Sequence, residues 1–263
     1  MSEFGEEGFL STEINNLTEK CHTNYKEWFE LHESINRYCW GLTSRLKFHS
    51  DNRQEYITFA LFLRMLGIFE GSYILIERGM VSETKVLLRT LMETLFSLRA
   101  IAKDKEEAER FYQEHDYLKY TALKKMLQAN SQVIPLNGRD HSKRLAELEN
   151  EVKTRKLKPS SVEDWAKKAE LHDFYISAYS YFSWTVHSNI MEIGQLLNGE
   201  SDDSVRKILL SPNFEEVCKY LMTGIECIVI ALGSINELFH LKENDRIGEY
   251  DRSYKELYKK FIN

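Results

Sequence analysis

The chain has 263 residues, a formal net charge of -6 at pH 7 and a pI of about 5.8, with only three prolines and twelve glycines. The acidic balance excludes a global electrostatic attraction to nucleic acid or to an anionic membrane surface. The scarcity of helix-breaking residues predicts an all-α fold, which we expect to be a single-domain antiparallel bundle of about 7 to 9 helices.

Four helices are predicted in the first half of the chain. The second of them is apolar on nearly every side, which favours a position at the centre of the bundle. Gly79 supplies a left-handed stop after this helix, and Ser82 begins the next one, so the two should form an antiparallel hairpin. Asp104 caps the fourth helix. The predicted bounds are 12–48, 55–78, 82–102 and 104–128.

The second half begins with the clearest loop, 130–140, and a helix with a narrow apolar seam. We expect 130–160 to form a flexible insert within one domain that spans 1–263. Asp173 should cap a long helix and Pro212 should open another. In the tail, 246–263, tyrosines and a leucine recur at helical spacing, which predicts an amphipathic helix for assembly or for packing on the bundle. The predicted helices are 141–156, a short one within 160–171, 173–197, 213–241 and 246–263.

Cysteine usage and apolar segments indicate the compartment. The four cysteines show neither CxxC spacing nor a dense framework, and the N-terminus is acidic where a signal peptide would be basic and then apolar. The most apolar segment, 220–239, carries Glu226 and Asn236, and its continuous apolar run is shorter than the roughly 20 residues needed to span a bilayer. We therefore expect a cytoplasmic protein with no membrane partner and a core helix at 220–239.

Several polar side chains fall on apolar helix faces. Ser183 and His187, four residues apart, project onto the buried side of the predicted helix 173–197. Arg89 and Glu93 lie on a side made of small residues, which indicates another helix in close approach. Buried groups of this kind need partners, because an unpaired one costs about 1 to 3 kcal/mol. The predicted buried polar cluster consists of Arg64, Arg89, Glu93, Tyr179, Ser183 and His187.

Two stretches resemble a widespread bacterial family of all-helical proteins described only as a domain of unknown function. They are "RMLGIFEGSYILIERGMVSETKVLLRTLMETLFSLRAIAKDKEEAERFY" and "DFYISAYSYFSWTVHSN", and the similarity covers roughly 55–197. Its pattern is a helix that ends in Arg-Gly, an Arg-x-x-x-Glu helix and a Tyr-x-x-x-Ser-x-x-x-His helix. The resemblance implies an all-helical fold and no particular reaction. The matching positions are Arg89, Glu93, Tyr179, Ser183 and His187.

Two patterns suggest catalysis or metal binding. Ser183 and His187 have the spacing of a nucleophile and its base, but neither a GxSxG elbow nor an oxyanion-hole loop accompanies them. Glu19-x-x-His22 and Glu237-x-x-His240 have the spacing found in di-iron bundles, yet they lie near opposite ends of the chain. We predict no metal and no cofactor, and the sequence does not decide whether the chain is an enzyme.

A nuclease pattern supplies the alternative function. Arg110 and His115 are similar to the Arg-x4-6-His motif of HEPN-type endoribonucleases, in which dimerisation joins two motifs around RNA. This resemblance implies a metal-independent endoribonuclease of a toxin or defence system, with Arg110 and His115 as catalytic residues and "KTRKLK" as an RNA contact. Phe111 stands where that family favours a polar residue, and the acidic pI opposes RNA binding.

The leading hypothesis places function in the buried polar cluster. We expect that cluster to bind a small polar or anionic ligand, or to act as a regulatory or structural lock. The setting would be bacterial stress or phage defence. Partners would be such a ligand, together with a second copy or another protein held through the C-terminal helix, and RNA would bind only under the nuclease alternative.

Overall fold

The computed structural model describes residues 3–129, 141–186 and 212–262. These residues form eleven helices and no strands, which confirms the all-α prediction and exceeds the predicted number of helices. The predicted loop at 130–140, the end of the helix predicted at 173–197 and the turn after it lie outside the described residues. The helices are α1 Glu3–Glu7, α2 Glu13–Asn24, α3 Lys26–Arg45, α4 Arg53–Ile76, α5 Val81–Lys103, α6 Lys105–Gln128, α7 Ser142–Thr154, α8 Val162–Lys168, α9 (His172–Phe174, the π-helical turn Tyr175–Tyr179 and Ser180–Val186), α10 Val217–Phe239 and α11 Asn244–Ile262.

Gly79 closes the hairpin between α4 and α5, as predicted. Its φ is +74°, and its carbonyl accepts a hydrogen bond of 3.0 Å from the Asn213 N–H. A Cβ at this position would lie 2.8 Å from the Asn213 nitrogen and from the Pro212 Cβ, so both the backbone conformation and the close approach require glycine. The turn is so short that α5 begins at Val81, with Met80 as its cap, and Ser82 is already inside the helix.

Other predicted caps had mixed outcomes. Asp104 caps α6, and its carboxylate accepts a hydrogen bond of 2.8 Å from the Glu106 N–H. The prediction for Asp173 is wrong, because Leu171 is the cap of α9 and Asp173 lies in its first turn. Pro212 does not open α10, which begins at Val217, because the chain at 212–213 is packed against Gly79.

Helices α5 and α10 form the centre of the core, and α4 packs on both. Two helices of the described part, α4 and α10, are long and apolar enough by length and composition to cross a membrane. In α10, 67% of the most apolar window is buried inside the bundle, which confirms the core helix predicted at 220–239. The central position predicted for α4 is wrong, because only 33% of its window is buried. Its outer face leaves Tyr56, Leu63 and Ile74 exposed.

The two ends of the chain pack on the same side of the bundle. The helix predicted at 12–48 is divided at Tyr25 into α2 and α3, and the Tyr25 hydroxyl donates a hydrogen bond of 2.7 Å to the Phe214 carbonyl. The predicted tail helix is present as α11, which packs against α3 and α10. It buries Tyr250 and Leu257 and leaves Phe261 exposed.

Candidate functional site

Helix α5 presents a polar stripe to α9. Lys85, Arg89 and Glu93 follow one another at four-residue steps, which places them on one face of the helix. Lys85 is only 2% exposed, while the side chains of Arg89 and Glu93 are 18% and 35% exposed. A lysine and an arginine so far from water require polar or anionic neighbours, and the neighbours come from α9 and α10.

Tyr179 of α9 joins Arg89 and Glu93. Its hydroxyl oxygen accepts hydrogen bonds from Arg89 Nε at 3.2 Å and from Nη2 at 3.0 Å, and it donates to Glu93 Oε1 at 2.8 Å. Arg89 Nε also lies 3.1 Å from Glu93 Oε1, and the guanidinium carbon is 5.3 Å from the centre of the Tyr179 ring. We call this triangle of Arg89, Glu93 and Tyr179 the lock.

A π-helical turn positions Tyr179. The turn covers Tyr175–Tyr179, and the Ser180 hydroxyl donates to the Tyr175 carbonyl at 3.0 Å. A turn of this kind inserts one residue into an α-helix, and such insertions are frequent at functional sites. The Tyr179 ring stacks on Tyr175 with the centroids 5.0 Å apart and meets Phe96 of α5 edge to face at 6.1 Å. The ring is therefore fixed by packing while its hydroxyl reaches the charged pair.

The protonation state of Tyr179 follows from its surroundings. Burial raises its pKa to about 12, the hydrogen bond to Glu93 acts in the same direction, and Arg89 opposes them. The phenol is consequently neutral at physiological pH and acts as a donor to Glu93. It cannot serve as a general base in that range, so the lock holds charge in place without supplying a nucleophile.

A second polar group, which the sequence analysis missed, adjoins the lock. Glu216, beside the start of α10, accepts hydrogen bonds from the Tyr220 hydroxyl and, at 3.3 Å, from the Lys219 ammonium. Burial opposes ionisation of Glu216, but the bond from Tyr220 and the charges of Lys219 and Lys85 lower its pKa. Lys85 stands four residues before Arg89, so a Lys-x-x-x-Arg-x-x-x-Glu pattern could have revealed it. Glu216 and Tyr220 show a similar four-residue spacing.

Two other members predicted for the buried cluster, Arg64 and Ser183, do not join the lock. Arg64 is exposed on the outer face of α4, so it needs no buried anion, and its assignment to a buried cluster was wrong. Ser183 is half-buried and makes no hydrogen bond within the described part of the chain. His187 lies outside the described residues.

The nuclease pair sits on α6, away from the lock. Arg110 and His115 are both exposed, and five residues of α-helix separate them by about 140° around the axis. Arg110 pairs with Glu107 at 3.3 Å and lines a cleft of about 410 Å³ with Arg155, Lys156 and Lys158. His115 does not line this cleft, so the two residues do not converge within one chain.

The two Glu-x-x-His pairs that have the spacing of di-iron bundles do not form a metal site in the described residues. His22 Nε2 lies 3.1 Å from Glu77 Oε2 of α4, and its ring stacks on Phe29. Within 3–129, 141–186 and 212–262, no three His, Cys, Asp or Glu side chains are arranged to hold a metal ion. The cysteines Cys21, Cys39, Cys218 and Cys227 are buried free thiols.

Comparison with protein-family models gives a match over more than half of the chain. The model of a family of unknown function, DUF5677, matches residues 55–205, which include all of α4 but its first two residues, the helices α5 to α9 and therefore the lock. No match was found among curated proteins or among solved structures.

Proposed function

The chain belongs to the DUF5677 family of unknown function, and we propose that it is a regulatory binding protein in which the lock holds α9 against α5. A small polar or anionic ligand would open the lock by taking over Arg89. The observation that carries this proposal is the buried Tyr179 hydroxyl, which bonds both members of an ion pair on the neighbouring helix. Because the three groups satisfy one another, the lock has a defined closed state.

The charges around the lock favour an anion as the ligand. Arg89 Nη1 makes no hydrogen bond to a described residue, so the guanidinium retains a donor for an incoming oxygen. Lys85 and Lys219 both lie near the Tyr181 ring of α9, at 5.9 and 4.0 Å from its centre. About a third of the Glu93 side chain, 35%, is exposed to solvent. An oxyanion from solvent can therefore replace Glu93 beside Arg89.

Hydrogen exchange of α9 tests the lock. Tyr179→Phe keeps the ring and removes the hydroxyl, and we expect amide exchange over 172–186 to accelerate by about tenfold or more. Tyr175→Phe is the matched control, because the Tyr175 hydroxyl makes no hydrogen bond within the described residues. Equal exchange rates in the two variants would contradict the proposal.

Inorganic phosphate is the probe for the anion. We expect phosphate to accelerate exchange of 172–186 in the wild-type protein, because the anion competes with Glu93 and Tyr179 for Arg89. Arg89→Gln should lose this response, whereas Lys105→Gln, which removes an exposed positive charge outside the lock, should retain it. A response that survives in Arg89→Gln, or no response in the wild-type protein, would count against ligand control.

A second candidate function, the metal-independent endoribonuclease, is favoured by the basic rim of the cleft at Arg110. That rim includes Arg155, Lys156 and Lys158, although three glutamates line the same cleft. Total RNA incubated with and without EDTA should remain intact if the lock is the functional site. Cleavage that persists in EDTA, is lost in His115→Ala and is retained in His187→Ala would replace the regulatory proposal with the nuclease.

We also propose that the exposed end of α11 mediates assembly with a second copy or another protein. Tyr258, Phe261 and Ile262 are 41%, 49% and 59% exposed there, beyond the residues that pack on the bundle. Their replacement by serine should abolish self-association without unfolding the bundle, as measured by mass in solution. An unchanged mass, or a wild-type protein that is already monomeric, would reject self-association through this helix.

A further inference from the structure

A cleft between α3 and α4 lies outside the site described above. It has a volume of about 280 Å³, and its lining comes from both helices. His32 and Asn36 of α3 are four residues apart and face the same side, where Glu70 of α4 meets them. The lining residues are His32, Glu33, Asn36, Glu70, Tyr73 and Ile74.

His32 is 2% exposed and its Nε2 atom has no hydrogen-bond partner in the described part of the chain. The ring stacks on Phe69 with the centroids 3.5 Å apart and lies 4.9 Å from the Tyr73 ring. A hydrogen bond to the Phe69 backbone occupies the other ring nitrogen, since Nε2 is unpaired. The ring nitrogen that donates to the Phe69 carbonyl carries the proton of the neutral ring. The other nitrogen, Nε2, is therefore an acceptor.

Asn36 provides a second unmatched acceptor. Its amide nitrogen donates to Glu70 Oε1 at 3.0 Å, which fixes the orientation of the amide, since the opposite orientation would place two oxygens together. The Asn36 Oδ1 atom is then buried without a donor from the described residues. Two independent side chains therefore leave acceptors in one cleft, where buried acceptors normally have partners.

Glu70 supplies a negative charge with no cationic partner among the described residues. Its Oε1 atom accepts from Asn36 and, at 2.7 Å, from the Trp40 indole N–H. Both donors are neutral. Glu33, by contrast, accepts from the Tyr73 hydroxyl at 2.7 Å and pairs with Arg37 at 3.4 Å. The charge in the cleft that lacks a counterion is thus that of Glu70.

We propose that this cleft binds a small primary alkylammonium ion. An ammonium group carries a positive charge and three N–H donors and has no acceptor, which complements the Glu70 carboxylate, His32 Nε2 and Asn36 Oδ1. The alkyl carbons pack against Ile74 and the Tyr73 ring. An anion is disfavoured because Glu33 and Glu70 both line the cleft.

Binding of n-butylammonium, measured by calorimetry, tests the proposal, and n-butyltrimethylammonium is the control ligand with the same charge and no N–H donors. We expect the trimethyl compound to bind at least about tenfold more weakly. Glu70→Gln should weaken n-butylammonium binding by a similar factor. Glu30→Gln removes an acidic group of α3 that is 64% exposed and does not line the cleft, and it should change the affinity less than about twofold.

A measurement on the wild-type protein tests the proposal even if one of the variants fails to fold. The nitrogen resonance of His32 Nε2 should shift as n-butylammonium is added, because the lone pair accepts a hydrogen bond. Any of three results would overturn the proposal: no binding up to about 10 mM, equal binding of the trimethyl compound, or equal effects of Glu70→Gln and Glu30→Gln. An ordered water that bridges His32 Nε2 and Asn36 Oδ1 and is not displaced by the amine would also overturn it.

Discussion

The lock and the α3–α4 cleft are two polar sites of opposite character. In the lock, the Tyr179 hydroxyl accepts from Arg89 and donates to Glu93, so its members neutralise and bond one another. In the cleft, His32 Nε2 and Asn36 Oδ1 have no donors among the described residues, and Glu70 has no counterion there. The first arrangement stabilises the packing of α9 on α5, whereas the unpaired acceptors of the second cost stability.

The comparison teaches that a buried polar residue does not by itself indicate a ligand site. Tyr179 and His32 are almost equally buried, at 5% and 2% exposed. They differ in whether their polar atoms have partners. Sites that keep unmatched groups are commonly not optimised for stability, so substitutions in the two regions should affect stability in opposite directions.

The largest effect on the free energy of unfolding is expected in α11, where it packs against α3 and thereby positions one wall of the cleft. Tyr250 of α11 is 4% exposed, and its hydroxyl donates to the Ser34 carbonyl of α3 at 3.3 Å. Tyr250→Ala should lower the free energy of unfolding by about 3 to 5 kcal/mol and weaken n-butylammonium binding, because α3 loses its support. Ser253→Ala, at an exposed position of α11 outside the proposed assembly surface, should change the free energy of unfolding by about 0.5 kcal/mol or less in urea unfolding.

This prediction also separates the two regions. In Tyr250→Ala, hydrogen exchange should accelerate in α3 and remain unchanged in α9, which does not adjoin the tail. A uniform acceleration in both helices would show that the cleft and the lock belong to one cooperative unit.

The next largest effect on the free energy of unfolding is expected from substitutions in the lock. Arg89→Met retains much of the side-chain volume but leaves Glu93 and the Tyr179 hydroxyl without their cation, and we expect a loss of about 2 to 3 kcal/mol. The double variant Arg89→Met with Glu93→Met should recover about 1 kcal/mol of this loss, because no charge is then left unpaired. Urea unfolding of the single and double variants measures the coupling. Strictly additive losses would mean that the two residues act separately.

Sequence periodicity predicted the helices well because each helix has a local signal. Gly79 and Asp104 were found from backbone and capping requirements that involve only nearby residues. The place of α4 was predicted wrongly, since an apolar face does not reveal whether another helix covers it. Arg64 was misplaced for the same reason.

The sites were predictable only in part. Arg89, Glu93 and Tyr179 could be selected because each is polar on a predicted buried face, although their mutual contacts depend on the packing of α9 against α5. The cleft could not be found this way. His32 follows Leu31 and precedes Glu33 in the sequence, which does not reveal that it is buried. Its burial depends on Phe69 and Tyr73 of another helix.

The pH dependence of stability should distinguish the cleft from the lock. Burial lowers the pKa of His32 to about 3, and its hydrogen bond to the Phe69 backbone acts in the opposite direction. Below the unfolded-state pKa of about 6.5, the unfolded chain gains a proton that the folded protein excludes. Stability is therefore fully present above that pH and falls by up to about 1.4 kcal/mol per pH unit as the pH decreases towards the folded pKa.

The measurement compares the wild-type protein with His32→Phe in urea unfolding from neutral pH to about pH 5. Other titrating groups contribute to both proteins, so the difference isolates His32. At about pH 5 the wild-type protein should have lost about 2 kcal/mol relative to the variant. Parallel pH profiles would show that His32 takes up its proton in the folded state.

The smallest expected change in the free energy of unfolding tests most directly whether the unpaired His32 Nε2 destabilises the folded protein. At pH 7, His32→Phe should raise the free energy of unfolding by about 1 kcal/mol, because phenylalanine keeps the stack on Phe69 and removes the unpaired Nε2. The Phe69 carbonyl keeps a partner, since the Ser72 hydroxyl donates to it at 2.7 Å. The same substitution should weaken n-butylammonium binding. Tyr179→Phe, which removes a satisfied hydroxyl from the lock, should lower the free energy of unfolding instead. If His32→Phe destabilises the protein as Tyr179→Phe does, Nε2 has a partner in solution and the contrast between the two regions is lost.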